Sequence, residues 1–550
     1  MQITSSSAKT TPNDQELDYG LVQSLLKQAN SLLTSNDKTQ CLEVLFKVRE
    51  FPLTEEFLIG SNIDFIIGEL AMDTNNFYCA YNAFKRCFDL NFSNRKIEQK
   101  IDLLNYLAST CCICGKIDEA YFYCKQLVTL EPNIESYFYL LYLMNHTETF
   151  SDKEINNTAK EIYDKFFKED LAKEKALISN LVKDTKIIKG EIIKIGVLTP
   201  YLMANTAEYI LAQSFLHIDK KKYELHWFHT EPNADEMTIE IIRQSKSYIN
   251  LKGKDRFSIA KTIANKGIHI LVDTLGIIRG NLLDVFTLKP APVQISTFGY
   301  WGSSGLPQMD YLIHNTAVVS KDSQESMHEK IINIENQYYL PDKFTVEVLA
   351  PPCLKNNYTT FGCFNRSPKI NSKVLAVWSL ILNLTPSSRL ILSNEALFDN
   401  AFKEYIWKIF EANGISRERV TLIHKVDSFS YFNLYNDIDI ALDPFPFNGS
   451  CTTVDTLWMG TPLIVLTGPR TTLKMSPFFI NKCEIPELIA HNEQEYIMKA
   501  VQLAKDFNRI EEYKKSLRKR LITSKINDAE AAGKDFEKAL DTIIELELEK

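Results

Sequence analysis

The sequence predicts an α + α/β chain: α-helical repeats first, then two Rossmann-like lobes built on parallel sheets. Two observations carry this reading. Small and helix-stopping residues recur with a 34-residue period ahead of residue 170, and strand–helix alternation occurs twice, over 190–335 and over 356–520. Composition agrees: 550 residues, 45% hydrophobic and 24% charged, is ordinary for globular protein and long enough for roughly two to four domains. A net charge of −8, from 62 basic against 70 acidic residues with no long basic run, argues against a nucleic-acid partner.

No 18-residue apolar stretch is present, so no membrane span is expected. The start "MQITSSSAKTTPNDQ" has no charged region followed by an apolar core and reads as a disordered tail over 1–20. Eleven cysteines without framework spacing argue against a disulfide scaffold, and a cytoplasmic location is expected.

Helical repeats are expected over 21–170. The stretch 101–134 spans one period, with Leu107, Ala108, Gly115, Ala120 and Pro132 at repeat positions 7, 8, 15, 20 and 32. These match the small and helix-stopping positions of a tetratricopeptide repeat: small residues let two antiparallel helices approach, and proline stops the second. Residues 61–94 share the frame through Ile67, Gly68, Ala80, Phe84 and Leu90, and a weaker copy carries Ala29, Asn36 and Cys41. Cys111, Cys112, Cys114 and Cys124 fall on different helix faces without paired metal-ligand spacing, so they read as small core residues.

The first lobe, 190–335, opens with the strand pattern "IKIGVL" and continues through "YELHWFHT" and "IHILVDTLG", with helical patterns between. Its stretch "LKPAPVQISTFGYWGSSGLPQMDYLIHN" places a Gly-rich loop after a strand, where ligand loops of open α/β sheets sit. The second lobe, 356–520, repeats the alternation with "YTTFGCF", "SRLILS", "RVTLIH", "IDIALDP" and "PLIVLTG", and a C-terminal helix is expected over 521–550. Lys369 lies at a strand-to-helix junction, where the helix dipole disfavours a cation unless an anion accompanies it. Between "IDIALDP" and the next helix stands "NGSCTTVD", a hydroxyl-rich turn whose N–H groups suit a ligand anion. The plainer alternative is an N-capped helix with Thr452 or Thr453 as cap, and both can hold together. His424 and Lys425 end a strand, either solvated or close to a ligand. Asp437 and Asp439 lack a second carboxylate-rich set to complete an octahedral site, so no metal is inferred.

Three motifs in order, "PAPVQISTFGYWGSSGLPQMDYLI", "FNRSPKI" and "DPFPFNGSCTTVDTLWMGTPLIVLTG", resemble the family of O-GlcNAc transferase, plant SPINDLY and bacterial relatives. That resemblance implies a protein glycosyltransferase with tetratricopeptide repeats ahead of a two-lobed GT-B core. It implies a first lobe on the acceptor side, a second lobe holding the nucleotide sugar, and no metal or other cofactor. Lys369, four residues after Asn365, matches the family lysine on the donor diphosphate. Asn448, Gly449, Ser450, Cys451, Thr452 and Thr453 match the turn that cradles the diphosphate, with Thr452 and Thr453 as donors. Asp455 matches a carboxylate near the ribose; with such a donor, His424 and Lys425 at their strand end are either solvated or close to the nucleotide base.

The chain also departs from the pattern. Asn205 stands where many relatives carry histidine and cannot serve as a general base, though it can orient a hydroxyl. Ile277 and Ile278 stand where relatives have a polar turn, leaving Arg279 and Asn281. Relatives often show Gly, Thr or His at Ser450 and Cys451. The resemblance therefore implies an inverting enzyme moving a sugar, GlcNAc first, from a UDP donor to a protein bound by the repeats. GDP-fucose or UDP-glucose as donor, or a catalytically silent scaffold, are the alternatives.

Overall fold

The computed structural model describes residues 19–168, 172–202, 214–231, 233–297, 299–335, 346–526 and 528–550. Helices fill the chain from Tyr19–Thr34 to Ala172–Val182, and among the described residues no helix is long and apolar enough to cross a membrane. The repeat frame is visible in the backbone. Asn36, Asn75 and Gly115, at equivalent positions between paired helices, all adopt left-handed φ of 60°, 60° and 70°, the conformation that Gly and Asn tolerate best. Small residues are needed at the crossings. A Cβ on Gly68 would lie 2.4 Å from the Phe84 ring, and Ala108 and Ala120 are fully buried. Cys111, Cys112, Cys114 and Cys124 are buried too, and desolvation pushes the Cys124 thiol up to about 12.

The chain divides into two compact units: Met1–Ser136 with Cys363–Asp427, and Tyr137–Gly362 with Ser428–Lys550. In the first unit one carboxylate joins helix Phe77–Asn91 to helix Asn400–Ala412. Asp399 is buried; its Oδ2 accepts from the N–H groups of Tyr78 (2.8 Å) and Cys79 (3.1 Å). Its Oδ1 accepts from Ala401 (2.7 Å) and Phe402 (3.3 Å). It thereby caps two helices whose N-terminal N–H groups would otherwise be orphaned. Tyr78 stacks on Tyr405 at 4.7 Å, and Lys116 sits over Tyr81 and Tyr405 at 5.0 and 4.9 Å.

The second unit carries the first lobe. Strands β1 (Ile193–Thr199), β2 (Tyr223–His229), β3 (Ser247–Asn250), β4 (Ile270–Asp273), β5 (Val293–Thr297), β6 (Tyr311–His314) and β7 (Lys330–Asn333) form one parallel sheet in the order β3-β2-β1-β4-β5-β6-β7. The order reverses beside β1, so the crevice at the carboxyl ends of β1 and β4 is the place where such a sheet binds ligands. Helix Ala529–Leu548 seals this lobe: Phe536, Leu540 and Ile543 join Phe215, Trp227 and Ile195 in one core, and the absence of a Cβ at Gly533 admits His217.

The second sheet is also parallel. Strand β8 (Thr360–Cys363) precedes β9 (Arg389–Asn394) and β10 (Val420–His424), which pair in the first unit with Val420 opposite Leu390. In the second unit β11 (Ile440–Leu442) lies between β8 and β12 (Leu463–Leu466), with β13 (Ile489–Ala490) beyond. Both oxygens of Asp439 are committed at the start of β11, accepting from Cys353 N–H (2.9 Å) and Thr360 N–H (2.7 Å).

Candidate functional site

Strand β11 runs out into Asp443, which is buried and closes the turn that follows. Its Oδ1 accepts from Gly449 N–H at 2.9 Å, while its carbonyl accepts from Tyr496 OH at 2.9 Å. Gly449 is required here: a Cβ would stand 2.5 Å from Thr453 Oγ1, 2.8 Å from Thr452 Oγ1 and 3.0 Å from Asp443 Oδ1. Asn448 is buried and spends its donors internally. Its N–H bonds Thr472 O (2.9 Å), and its Nδ2 bonds Pro444 O and Leu466 O (3.4 and 3.3 Å). It shapes the turn from beneath.

Helix Cys451–Trp458 begins directly after this turn. Ser450, and not Thr452 or Thr453, is the N-cap, and its side chain makes no capping hydrogen bond. The correction follows from the close Gly449 turn, which brings both threonines inside the first helical turn. Thr453 differs from the expected donor in a second way. Its hydroxyl is buried and shares a 2.7 Å hydrogen bond with Ser476 Oγ, which in turn reaches Gly449 O at 3.2 Å. The accessible rim is therefore Ser450 and Thr452, partly exposed, and Cys451, exposed. A helix N-terminus with small polar residues at its rim suits an anion.

Asp455 lies one turn further along the same helix and is only partly exposed. Tyr431 OH donates to its Oδ2 at 2.9 Å and lies 2.9 Å from Tyr435 OH. Removal from water outweighs that hydrogen bond and pushes the carboxyl up to about 7. Neither Tyr431 nor Asp443 was marked as a site residue by the sequence. Tyr431 is 24 positions from its partner in an unremarkable helical stretch, and the bond from Gly449 N–H to Asp443 has no signature in the sequence.

Other expected residues fall in the first unit. Asn365 is buried after β8, its Nδ2 3.7 Å from Cys363 Sγ. Lys369 is half-buried and ends the short 3-10 turn Ser367–Lys369, ahead of helix Ser372–Leu384, which Asn371 caps. Gly115 of the repeats backs this turn; a Cβ there would lie 2.5 Å from Ile370 O and 3.1 Å from Ser367 O. His424 and Lys425 are exposed at the end of β10, with the edge of Phe398 near His424 (6.3 Å between centroids).

In the first lobe Asn205 lies outside the described residues. Ile277 is buried and Ile278 exposed. Asn281 uses its amide locally, giving to Ile278 O (3.1 Å) and accepting from Leu283 N–H (3.3 Å), so of the two polar residues in that turn Arg279 keeps its side chain in solvent.

Known proteins share this organisation. The model of glycosyl transferase family 41 matches residues 168–349 and 350–536. The probable UDP-N-acetylglucosamine–peptide N-acetylglucosaminyltransferase SPINDLY of Hordeum vulgare is 28% identical over 352 residues, 63% of this chain and 37% of that protein. Its Arabidopsis thaliana counterpart is 29% identical over 333 residues, covering 59% and 36%. The chain thus matches little more than a third of these relatives' length. A solved structure of a mutant Thermobaculum terrenum O-GlcNAc transferase superposes with a TM-score of 0.77 at 21% identity, covering 98% of this chain and 99% of that one, and shows the shared fold.

Proposed function

The chain belongs to glycosyl transferase family 41, and from that membership we propose an inverting, metal-independent protein glycosyltransferase that uses a UDP-sugar, GlcNAc first. The observation that carries the reading is the Asp443–Gly449 closure, which leaves a helix N-terminus with an accessible Ser450–Cys451–Thr452 rim where a diphosphate would be held. In the reaction an acceptor side-chain oxygen or nitrogen attacks the anomeric carbon from the face opposite the nucleotide. The bond from that carbon to the diphosphate oxygen breaks, its electron pair stays on the nucleotide, and the acceptor's proton passes to a base. Lys369 and the helix N-terminus would stabilise the charge that grows on the leaving diphosphate. Asp455, steadied by Tyr431, would accept hydrogen bonds from the ribose hydroxyls. Asn205 would orient the acceptor or sugar. The repeats would hold the acceptor protein.

UDP should raise the melting temperature in the presence of EDTA, since a ligand that binds only the folded state stabilises it. Loss of the shift on chelation would exclude the metal-free mechanism, and a larger shift with GDP would reassign the donor. The same ligand should protect Cys451 from alkylation, because Cys451 is exposed on the rim while most other cysteines are buried. Peptide mapping after brief iodoacetamide treatment, with and without UDP, gives the answer. Unchanged labelling would move the nucleotide elsewhere.

Asp455 adds a pH dependence. Folded, its carboxyl keeps its proton up to about 7, whereas an unfolded aspartate releases it near about 3.9. The folded state therefore binds more protons between these values. This group favours the fold at low pH, and its contribution falls away as pH rises from about 4 through about 7. Ribose binding runs the other way, because the carboxylate accepts hydrogen bonds more strongly than the acid. Nucleotide affinity of the wild type relative to Asp455→Asn should therefore increase between pH 6 and 8, by roughly threefold to tenfold, a difference of about 1 kcal/mol. A constant ratio in calorimetric titrations would remove Asp455 from the ribose site.

A further inference from the structure

Helix Asp152–Phe166 precedes the residues that the family model matches, yet its two buried polar residues, Asp152 and Asn156, are bonded to the lobes. Asp152 is buried, and its Oδ2 accepts from Ser320 Oγ (2.6 Å), Thr471 N–H (2.8 Å) and Thr471 Oγ1 (2.7 Å). Its Oδ1 lies 3.5 Å from Arg470 Nε. Arg470 in turn donates to the carbonyls of Met144, Asn145 and Thr147, at the end of helix Ile134–His146. A cation is favoured at that helix end, and a buried one needs the carboxylate beside it.

The same segment reaches the nucleotide turn. Thr472, next to Thr471, accepts the Asn448 N–H at 2.9 Å. Phe447, immediately before Asn448, stacks on His146 at 4.5 Å and meets the edge of Trp301 at 5.3 Å. Further along the helix a different set of contacts is made. Asn156 accepts from Ser303 N–H (3.0 Å) and donates to Ser323 Oγ (3.2 Å) and Ser326 Oγ (2.9 Å), residues of the first lobe.

We infer that Asp152 is a positioning residue for the nucleotide turn: it fixes Arg470–Thr472, whose last carbonyl fixes Asn448 and with it the Ser450–Thr452 rim. The inference rests on that rim being the diphosphate site. Asp152 holds three donors on one oxygen and a guanidinium beside the other, so the segment has one well-bonded position. Without the carboxylate these donors are left unsatisfied and Arg470 is left as an unpaired buried charge. Residues 470–472 then relax, and donors that were preorganised for an anion move out of register.

The test compares Asp152→Asn, Thr471→Val, Thr471→Ser and Asn156→Ala in the full chain, with UDP and GDP as probes, by calorimetry well below each variant's melting temperature. Asp152→Asn and Thr471→Val should weaken UDP binding by about tenfold. Thr471→Ser, which keeps the hydroxyl, should restore it, and Asn156→Ala should lower the melting temperature without changing the dissociation constant. Wild-type affinity in both Asp152→Asn and Thr471→Val would overturn the inference, as would equal weakening in Asn156→Ala, since that signals a general structural role. If Asp152→Asn does not fold, the Thr471 pair decides alone. A wild-type chain that binds neither nucleotide overturns the diphosphate reading itself, which distinguishes that failure from the loss of the Asp152 relay.

Discussion

Lys369→Ala is expected to lower turnover by about 10²–10³-fold, the usual effect of removing a preorganised donor from a developing oxyanion. Ground-state affinity for UDP should fall less. The diphosphate already carries charge in the bound donor, but it gains more as the glycosidic bond breaks, so the lysine matters most in the transition state. Local structure makes a large folding defect an unexpected outcome. Lys369 is half-buried at the end of a 3-10 turn that is held by the backbone bonds Lys369 N–H to Arg366 O (3.1 Å) and Ile370 N–H to Ser367 O (2.9 Å), and neither needs the side chain. A merely structural surface lysine would change stability by under about 0.5 kcal/mol and leave kcat alone. The measurement is kcat for transfer, or for donor hydrolysis without an acceptor, beside the UDP dissociation constant. Wild-type turnover in the mutant would remove Lys369 from the mechanism. A wild-type chain silent with every nucleotide sugar would favour the scaffold alternative, and Asn205 would be the first residue to exchange for histidine.

The second large effect concerns stability. Asp399→Ala removes the carboxylate that caps helix Phe77–Asn91 through Tyr78 and Cys79 and helix Asn400–Ala412 through Ala401 and Phe402. Each lost cap costs about 1 kcal/mol, and hydrogen bonds to a charged acceptor in a buried setting raise the total to about 2–4 kcal/mol. Chemical denaturation should show this as a lower midpoint at an unchanged slope. Asp399→Asn should lie between, since one amide oxygen can still serve one of the two helix ends. A loss below about 0.5 kcal/mol in Asp399→Ala would mean that water replaces the carboxylate at both ends. Removing residues 1–135 takes away the same partners together with Gly115, against which the Ser367–Ile370 backbone rests. That truncation should therefore damage the Lys369 segment, and the remaining chain should lose turnover as well as acceptor binding.

Local order was legible in the residues themselves. Asn36 and Gly115 could be placed at the repeat turns because a left-handed residue must recur wherever the same two helices meet, and only Gly and Asn occupy that conformation cheaply. The parallel strands β1 and β4 showed as short apolar runs because both faces of such a strand are covered. The turn proposed for the diphosphate stood out through Gly449 and its hydroxyl neighbours, since close backbone approach and small donors leave a compositional trace. The direction of each side chain did not. Thr452 and Thr453 are adjacent, of one type and on one helix, yet Thr453 is bonded inward to Ser476. Helical rotation of about 100° per residue separates them, and which face is inward depends on what packs there.

By itself, then, the sequence determined the helical repeats, the two parallel sheets, the family and the turn where a helix begins at a hydroxyl-rich bend closed by Gly449. All of these are written in periods and spacings of a few to a few tens of residues. Only the tertiary structure decided that Asp399 joins a repeat helix to a helix of the second lobe, 321 positions away from Tyr78, and that Asp152 meets Thr471 across 319. Such pairings leave no periodic trace. One buried carboxylate can satisfy donors from any part of the chain that reaches it, and only the folded packing selects which segment supplies them.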